Sequence, residues 1–221
     1  MPPLIPNRLL FDFEFPLRYR SAPPEFDPEL SNWDTALLLP ALCELDGQRP
    51  FAPVYACWNE SGLHVATRVT DKRSPLHCDP AVFWRSDNLR LCTDMRDARN
   101  IKRASRFCQQ FYLMPTGGGR GGREPVGGSA KLQRAREDAP SVLPGALHVQ
   151  ADVTKTGYTL QAHLAATALH GFDPGEHPRI GLYYMLEDRD QGQQYLTVGD
   201  DLYWFVDPST WATAVLTRES S

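Results

Sequence analysis

Apolar and polar residues alternate with a period of two along much of the chain, which is typical of β-strands that bury one face. At residues 11–15, phenylalanine alternates with aspartate and glutamate, and this pattern predicts a first strand. The segment from Pro16 to Pro28 is rich in proline. Because proline has a fixed φ and no backbone N–H, this segment predicts extended, irregular chain.

A β-hairpin is predicted where Asn59-Glu60-Ser61-Gly62 separates the alternating segments 54–58 and 63–69. Asn and Gly tolerate the positive φ that a tight hairpin turn requires. Lys155-Thr156-Gly157 predicts a second turn of the same kind. The remaining predicted strands are 89–93, 107–113, 146–153, 158–163, 180–186, 195–198 and 212–216.

Two segments interrupt the alternation. Residues 117–128 are rich in glycine and predict a mobile hairpin loop, and residues 164–169 predict one short helical turn. Many short strands with almost no helix are typical of an all-β sandwich or barrel. No internal repeat of fixed period is visible, and we predict one domain over residues 1–221.

The composition is that of a globular protein, with 42% hydrophobic and 23% charged residues. A formal net charge of -4 provides no broad positive field, so nucleic acid and membrane surfaces are poor candidate partners. The first residues carry no basic segment followed by an apolar stretch. We therefore expect a cytoplasmic protein, or a secreted or periplasmic one if a leader was trimmed.

The cysteines indicate neither a disulfide framework nor a zinc knuckle. They are five in number, and no two form a Cys-x-x-Cys pair. We expect them to behave as small buried hydrophobes. They are Cys43, Cys57, Cys78, Cys92 and Cys108.

The order of several short motifs resembles the family-nine carbohydrate-binding modules. The front half contributes Asn32-Trp33-Asp34, residues 54–65, Val69-Thr70-Asp71 and residues 84–94. The tail contributes residues 163–169 and Asp207-Pro208-Ser209-Thr210-Trp211-Ala212, which lead into the last predicted strand. The resemblance covers residues 33–216, and it depends on the order of the motifs because each one is short.

The resemblance implies an antiparallel, jelly-roll-like β-sandwich with one short helical turn, structural calcium in some members, and a sugar held between two aromatic rings. Trp84 matches one of these rings. Near the position of the other ring only Tyr203 or Trp204 is available, and we assign Trp204. Arg90 stands where sugar-binding members carry an acidic residue.

A sugar ring has an apolar face and a rim of hydroxyl groups, so its site needs an aromatic surface together with fixed polar groups. Trp84 could supply the aromatic surface, and Asp87, Arg90 and either Gln109 or Gln110 could orient the ring; of the two glutamines we assign Gln110. The alternative is that Trp84 packs into its loop as a core anchor. The tryptophans within strand patterns are predicted to fill the core: Trp33, Trp58 and Trp211.

Asp71 and Asp94 are candidate calcium ligands, together with Asp87, because they flank the long loop 72–85 and offer hard oxygen ligands. The alternative is that these aspartates accept turn hydrogen bonds at strand ends. The histidines lack the spacing of zinc ligands, and nothing in the spacing of Met95, Met114 and Met185 favours haem.

Four functions remain open at this point. The leading hypothesis is a non-catalytic, carbohydrate-binding domain. The second is a structural or protein-interaction domain that kept the fold after its sugar site decayed. An enzyme acting on sugars is third. Glycoside hydrolysis requires two carboxyl groups at a defined distance on opposite sides of one bond, and carboxylates that are adjacent in the sequence do not provide that arrangement. A haem carrier is fourth.

Overall fold

A computed structural model describes residues 13–218. They form strands joined by short 3-10 helical segments, which confirms the all-β class. No helical segment in this range is long and apolar enough to cross a bilayer. The strands are β1 (Glu14–Arg18), β2 (Val54–Asn59), β3 (Gly62–Val69), β4 (Asn88–Asp94), β5 (Cys108–Gly118), β6 (Glu124–Ala130), β7 (Leu147–Thr154), β8 (Gly157–Ala165), β9 (Arg179–Asp188), β10 (Gly192–Tyr195) and β11 (Ala212–Thr217).

Two sheets face each other as a sandwich. The seven-stranded sheet has the order β1-β11-β9-β4-β5-β6, with β10 also paired to β9, and the four-stranded sheet has the order β2-β3-β8-β7. All pairs are antiparallel except β1 with β11. Leu91 and Phe111 of the larger sheet share one buried core with Val65 and Leu160 of the smaller one. The predicted antiparallel sandwich is therefore confirmed, with one parallel pair at its edge.

The hairpin of β2 and β3 is confirmed, with Glu60 and Ser61 forming the turn between paired Asn59 and Gly62. Gly62 has a φ of 137°. A Cβ at this residue would lie 2.0 Å from the carbonyl oxygen of Leu164 on the neighbouring β8. Glycine is therefore required here both by the backbone conformation and by the close approach of β8.

The expectation for the proline-rich segment is partly wrong, because β1 continues through Pro16 to Arg18. Proline is tolerated there because β1 is an edge strand, which has one unpaired side. Of the predicted first strand, residues 11 and 12 lie outside the described range. The following chain crosses the outer face of the smaller sheet, where Trp33 is buried against Cys57 and Ala66.

The glycine-rich segment forms the predicted hairpin, but most of it is strand. Strand β5 runs past Pro115 to Gly118, β6 begins at Glu124, and only residues 119–123 form the reversal. A Cβ at Gly128 would lie 2.2 Å from the hydroxyl oxygen of Tyr112. This glycine therefore makes room for a side chain on the neighbouring strand, and the mobility of the segment stays a prediction.

The structure contains more helical turn than the single one predicted. The predicted turn forms over Ala166–Ala168. The other 3-10 segments are Thr35–Leu37, Leu42–Asp46, Pro80–Arg85, Asp200–Leu202 and Pro208–Thr210. They lie in the long connections, and two of them carry residues of the candidate site.

Candidate functional site

A pocket of about 420 Å³ lies on the outer face of the seven-stranded sheet. Strands β4 and β5 form its floor, and the segments around 83–84, 130–133 and 200–205 form its walls. Its lining includes Phe83, Trp84, Arg90, Gln110, Lys131, Asp200 and Phe205. Three of the five predicted ligand-binding residues therefore meet in one place.

Trp84 lies on the wall of this pocket and is 50% exposed. Its neighbour Phe83 packs on the sheet, with its ring stacked on Tyr112 at a centroid distance of 4.8 Å. Trp84 contacts Phe83 edge to face at 5.3 Å. Because Phe83 anchors this turn, Trp84 is left facing solvent, and the core-anchor alternative is wrong for it.

Hydrogen bonds fix the turn that carries Trp84. The carboxylate of Asp79 accepts from the backbone N–H of Ala81, which caps the start of the Pro80–Arg85 segment. The Ser86 hydroxyl oxygen accepts from the backbone N–H of Asp79 at 3.0 Å. The Asn88 side chain donates to the carbonyl oxygen of Phe83 at 2.7 Å. Such side-chain bonds hold an irregular loop in one conformation.

Asp87 is fully buried, beneath the surface that a ligand would contact. Its carboxylate accepts from the backbone N–H groups of His77 at 3.0 Å and Arg189 at 2.8 Å. It also lies 3.3 Å from the ammonium of Lys72. The sequence predicts that Asp87 orients the sugar ring, whereas its buried position suits it to closing the base of the Trp84 loop.

Arg90 projects from β4 into the pocket floor and is almost fully buried. Its Nη2 donates to Glu187 on β9 at 2.6 Å. Its guanidinium carbon lies 5.1 Å from the centroid of the Trp204 ring, a cation–π distance. Its Nε has no hydrogen-bond partner among residues 13–218.

Trp204 is fully buried and does not supply the exposed second ring expected from the sequence. Its ring stacks on Tyr183 at 4.7 Å, and its Nε1 donates to Asp200 at 2.9 Å. The aromatic side chain that lines the pocket is the next residue, Phe205. Tyr203 is 64% exposed but is not part of the lining.

Two carboxylates, Glu187 and Asp200, are connected through Gln193. Gln193 donates through Nε2 to both Glu187 and Asp200, each at 2.9 Å. Burial raises the pKa of Glu187, and the nearby Arg90 partly opposes that rise. The bond with Gln193 therefore connects the Arg90–Glu187 pair to Asp200 on the wall of the pocket.

Gln110 lines the pocket, whereas its neighbour Gln109 does not. Gln109 lies on the other face of β5 and donates to the carbonyl oxygen of Ala168 at 2.7 Å. The alternation of a strand separates the two amides. Lys131, also in the lining, is exposed and ion-paired with Asp138.

The three calcium candidates, Asp71, Asp87 and Asp94, do not form a shared metal site among the described residues. Asp94 ends β4 and accepts from the backbone N–H groups of Arg96 and Ala98, which is the turn-bonding alternative. Asp71 is exposed near the end of β3, where it accepts from the Thr70 hydroxyl. Within residues 13–218, no group of three or more His, Cys, Asp or Glu side chains is arranged to hold a metal ion.

A second cleft, of about 780 Å³, lies on the outer face of the smaller sheet. His64, His163 and His148 occupy paired positions on β3, β8 and β7. The rings of His64 and His163 are stacked at 4.3 Å, and those of His163 and His148 at 6.0 Å. Burial lowers the pKa of His64 to about 4, and it also lowers the pKa of His163.

Comparison with known proteins supports the architecture. No protein-family model and no curated protein sequence matches the chain. Among solved structures, a family 9 carbohydrate-binding module from Caldicellulosiruptor kristjanssonii in complex with cellotriose has a TM-score of 0.64 at 14% identity, over 95% of this chain and 96% of that one. The same kind of module in complex with glucose has a TM-score of 0.63 at 14% identity, over 95% and 98%.

A protein of Bacteroides uniformis, provisionally described as carbohydrate-binding, has a TM-score of 0.56 at 9% identity, over 93% of this chain and 99% of that one. The chain therefore has the fold of the family 9 carbohydrate-binding modules. The resemblance stated from the order of the sequence motifs is confirmed at the level of the fold.

Proposed function

We propose that this protein is a non-catalytic carbohydrate-binding domain and that the pocket beside Trp84 holds the saccharide. The observation that carries the proposal is the position of Trp84, which is 50% exposed in a pocket also lined by Phe205, Arg90 and Gln110. Large aromatic side chains are seldom left this exposed, and an exposed aromatic in a concave site favours ligand contact. The complexes of its structural neighbours with glucose and cellotriose support the same ligand class.

The aromatic residues supply the apolar part of the interaction. If stacking removes on the order of 60 Å² of each ring from water, one aromatic face contributes roughly 1.5 kcal/mol and two contribute roughly 3 kcal/mol. Trp84 is the first face, and Phe205 is the second in place of Trp204. After the loss of translational and rotational freedom, we expect affinities on the order of micromolar to millimolar.

The polar side chains supply orientation. The guanidinium of Arg90 and the amide of Gln110 lie at the floor, where they can donate to sugar hydroxyl groups. Asp200 and Lys131 on the wall add an acceptor and a donor. Trp204 and Asp87 lie beneath the pocket and do not contact the saccharide. Trp204 packs under the guanidinium of Arg90, and Asp87 closes the loop that carries Trp84.

The arrangement of the carboxylates supports binding rather than hydrolysis. Glu187 is ion-paired with Arg90, and Gln193 binds both Glu187 and Asp200. In glycoside hydrolysis, a general acid and a nucleophile must reach opposite sides of the glycosidic bond. The contacts with Arg90 and Gln193 instead hold the carboxylates of Glu187 and Asp200 in place. Incubation with oligosaccharides is expected to give no shorter products in chromatography.

The proposal is tested by glycan-array screening followed by titration of a retained saccharide. Trp84→Ala is expected to weaken binding about tenfold, the equivalent of roughly 1.5 kcal/mol. Tyr203→Ala is the matched control, because Tyr203 is an exposed aromatic residue outside the pocket lining. If the wild-type protein retains no saccharide, the protein-interaction hypothesis replaces this one.

A further inference from the structure

Lys72 carries an ammonium group buried beneath the loop that presents Trp84. The residue is 4% exposed. Its Nζ lies 2.7 Å from Asp188, 3.3 Å from Asp87 and 3.8 Å from Asp190, measured to the nearest carboxylate oxygen of each. Three carboxylates thus surround one positive charge with little access to water.

Each of these carboxylates also binds backbone N–H groups, so the cluster ties distant parts of the chain together. Asp87 accepts from His77 and Arg189. Asp188 accepts from Asp190 and Gln191 at the turn between β9 and β10. Asp190 accepts from Arg73 and Ser74 at the start of the loop.

The positive charge is required for this arrangement to be stable. Three carboxylates at these distances would repel one another, and two of them are buried, where the repulsion is screened little by water. Burial opposes the charged form of Lys72, but the bonds to the aspartates outweigh it and raise its pKa. The ammonium is therefore charged at neutral pH.

We propose that Lys72 is a built-in structural cation that positions the Trp84 loop. The loop starts at Lys72 and closes where the backbone N–H of Asp87 donates to the carbonyl oxygen of His77 at 2.8 Å. The carboxylate of Asp87, which Lys72 neutralises, makes the return contact to the backbone of His77. The link to ligand binding rests on the function proposed above, whereas the link to loop structure does not.

Tryptophan fluorescence reports the loop directly, because Trp84 is the exposed one of the five tryptophans and the other four are buried. Lys72→Ala is expected to lower Tm by about 10 °C, as loss of one partner of a buried ion pair does in a chain of this size. It is also expected to increase quenching of Trp84 by acrylamide and to weaken saccharide binding about tenfold. Lys102→Ala is the matched control, because Lys102 is ion-paired with Asp207 but exposed. It should change none of these measurements.

Chemical rescue separates a missing cation from a generally damaged fold. Propylammonium has the atoms that Lys72→Ala removes, so an excess of its chloride is expected to restore Tm and wild-type quenching. Choline chloride at equal concentration should not, because its three methyl groups are too bulky for the space. Lys72→Met, which fills the space without a charge, should be destabilised and show no rescue. If Lys72→Ala is unfolded, the same comparison is made on its refolding.

The proposal is overturned if Lys72→Ala keeps the wild-type Tm and quenching, or if propylammonium gives no more recovery than choline. Failure of the proposed function gives a different result. In that case the wild-type protein retains no saccharide, while the Tm and quenching of the Lys72 variants still decide the role of the ammonium.

Discussion

The two outer faces of the sandwich bury titratable side chains in opposite ways. On the seven-stranded sheet, Arg90 is buried in its charged form beside Glu187. On the four-stranded sheet, His64 is buried and His163 is half-buried, and the two rings are stacked on each other in their neutral form. The first face carries fixed charges and an exposed tryptophan, which suits ligand orientation. On the second face, His64 and His163 become charged when the pH falls below their lowered pKa values.

Two tryptophans on the charged face should give the largest contrast. Trp204→Ala is expected to lower the free energy of unfolding by about 4 kcal/mol, because a fully buried ring leaves a cavity and uncovers Arg90. Trp84→Ala should change it by less than about 1 kcal/mol, since the ring is half exposed. Urea denaturation of both variants makes the comparison. Equal losses would contradict the division into a buried ring and a ring exposed in the pocket.

The second largest effect on the free energy of unfolding should come from acid, acting on the outer face of the four-stranded sheet, where His64 and His163 lie. The pKa of His64 in the folded protein is about 4, below the ordinary histidine value of 6.5, because the ring is buried. Between these values the unfolded chain binds a proton that the folded protein does not, so stability is lost as pH falls. The loss by pH 4 should be roughly 2–3 kcal/mol, at 1.36 kcal/mol per pKa unit.

Unfolding measured from pH 7 to pH 4 checks this expectation against two variants. His64→Gln should flatten the decline, because glutamine does not titrate. His177→Gln is the control, since His177 lies outside the cleft that His64, His148 and His163 line. A decline that is the same in His64→Gln and in the wild-type protein would assign the acid sensitivity to other groups.

Much of the fold could be predicted because strand alternation is a local signal. The segments 54–58 and 63–69 alternate and carry their turn residues with them, so their hairpin followed from the sequence. Part of the pocket could also be predicted from the sequence, because Trp84, Arg90 and Gln110 are among its lining residues. Alternation along β5 explains why Gln110, and not Gln109, reaches the pocket.

The features that could not be predicted from the sequence depend on contacts between residues far apart in the chain. Lys72 binds Asp188, which lies 116 residues further along the chain, and no local pattern pairs them. Tyr203, Trp204 and Phe205 are consecutive aromatic residues, and Tyr203 has a φ of 53° in the turn. Which of the three faces the pocket depends on this turn, so Phe205 could not be distinguished from Trp204 in the sequence.

Among the charges, a buried pair should matter more than an exposed one. Arg90→Gln is expected to lower the free energy of unfolding by about 2 kcal/mol, because it leaves Glu187, whose side chain is only 19% exposed, without its cation. Arg68→Gln is the matched control, since the pair of Arg68 with Glu29 is exposed and should be worth less than about 0.5 kcal/mol. Similar losses in denaturant unfolding would show that burial does not separate the two pairs.

The smallest effect concerns Trp33, which covers the outer face of the smaller sheet. Its Nε1 donates to the amide oxygen of Gln161 at 3.3 Å in a buried position. Trp33→Phe keeps an aromatic ring beside Tyr55 but leaves this oxygen without its donor, so we expect a loss of about 1 kcal/mol in urea unfolding. Trp84→Phe is the control, because the indole N–H of Trp84 makes no hydrogen bond to residues 13–218 and its loss should not change stability. Trp33→Phe,Gln161→Leu also removes the amide oxygen that Trp33→Phe leaves without a donor, so it should recover part of the loss. A double variant less stable than Trp33→Phe would show that the amide of Gln161 is needed instead for its bond to the carbonyl oxygen of Pro24.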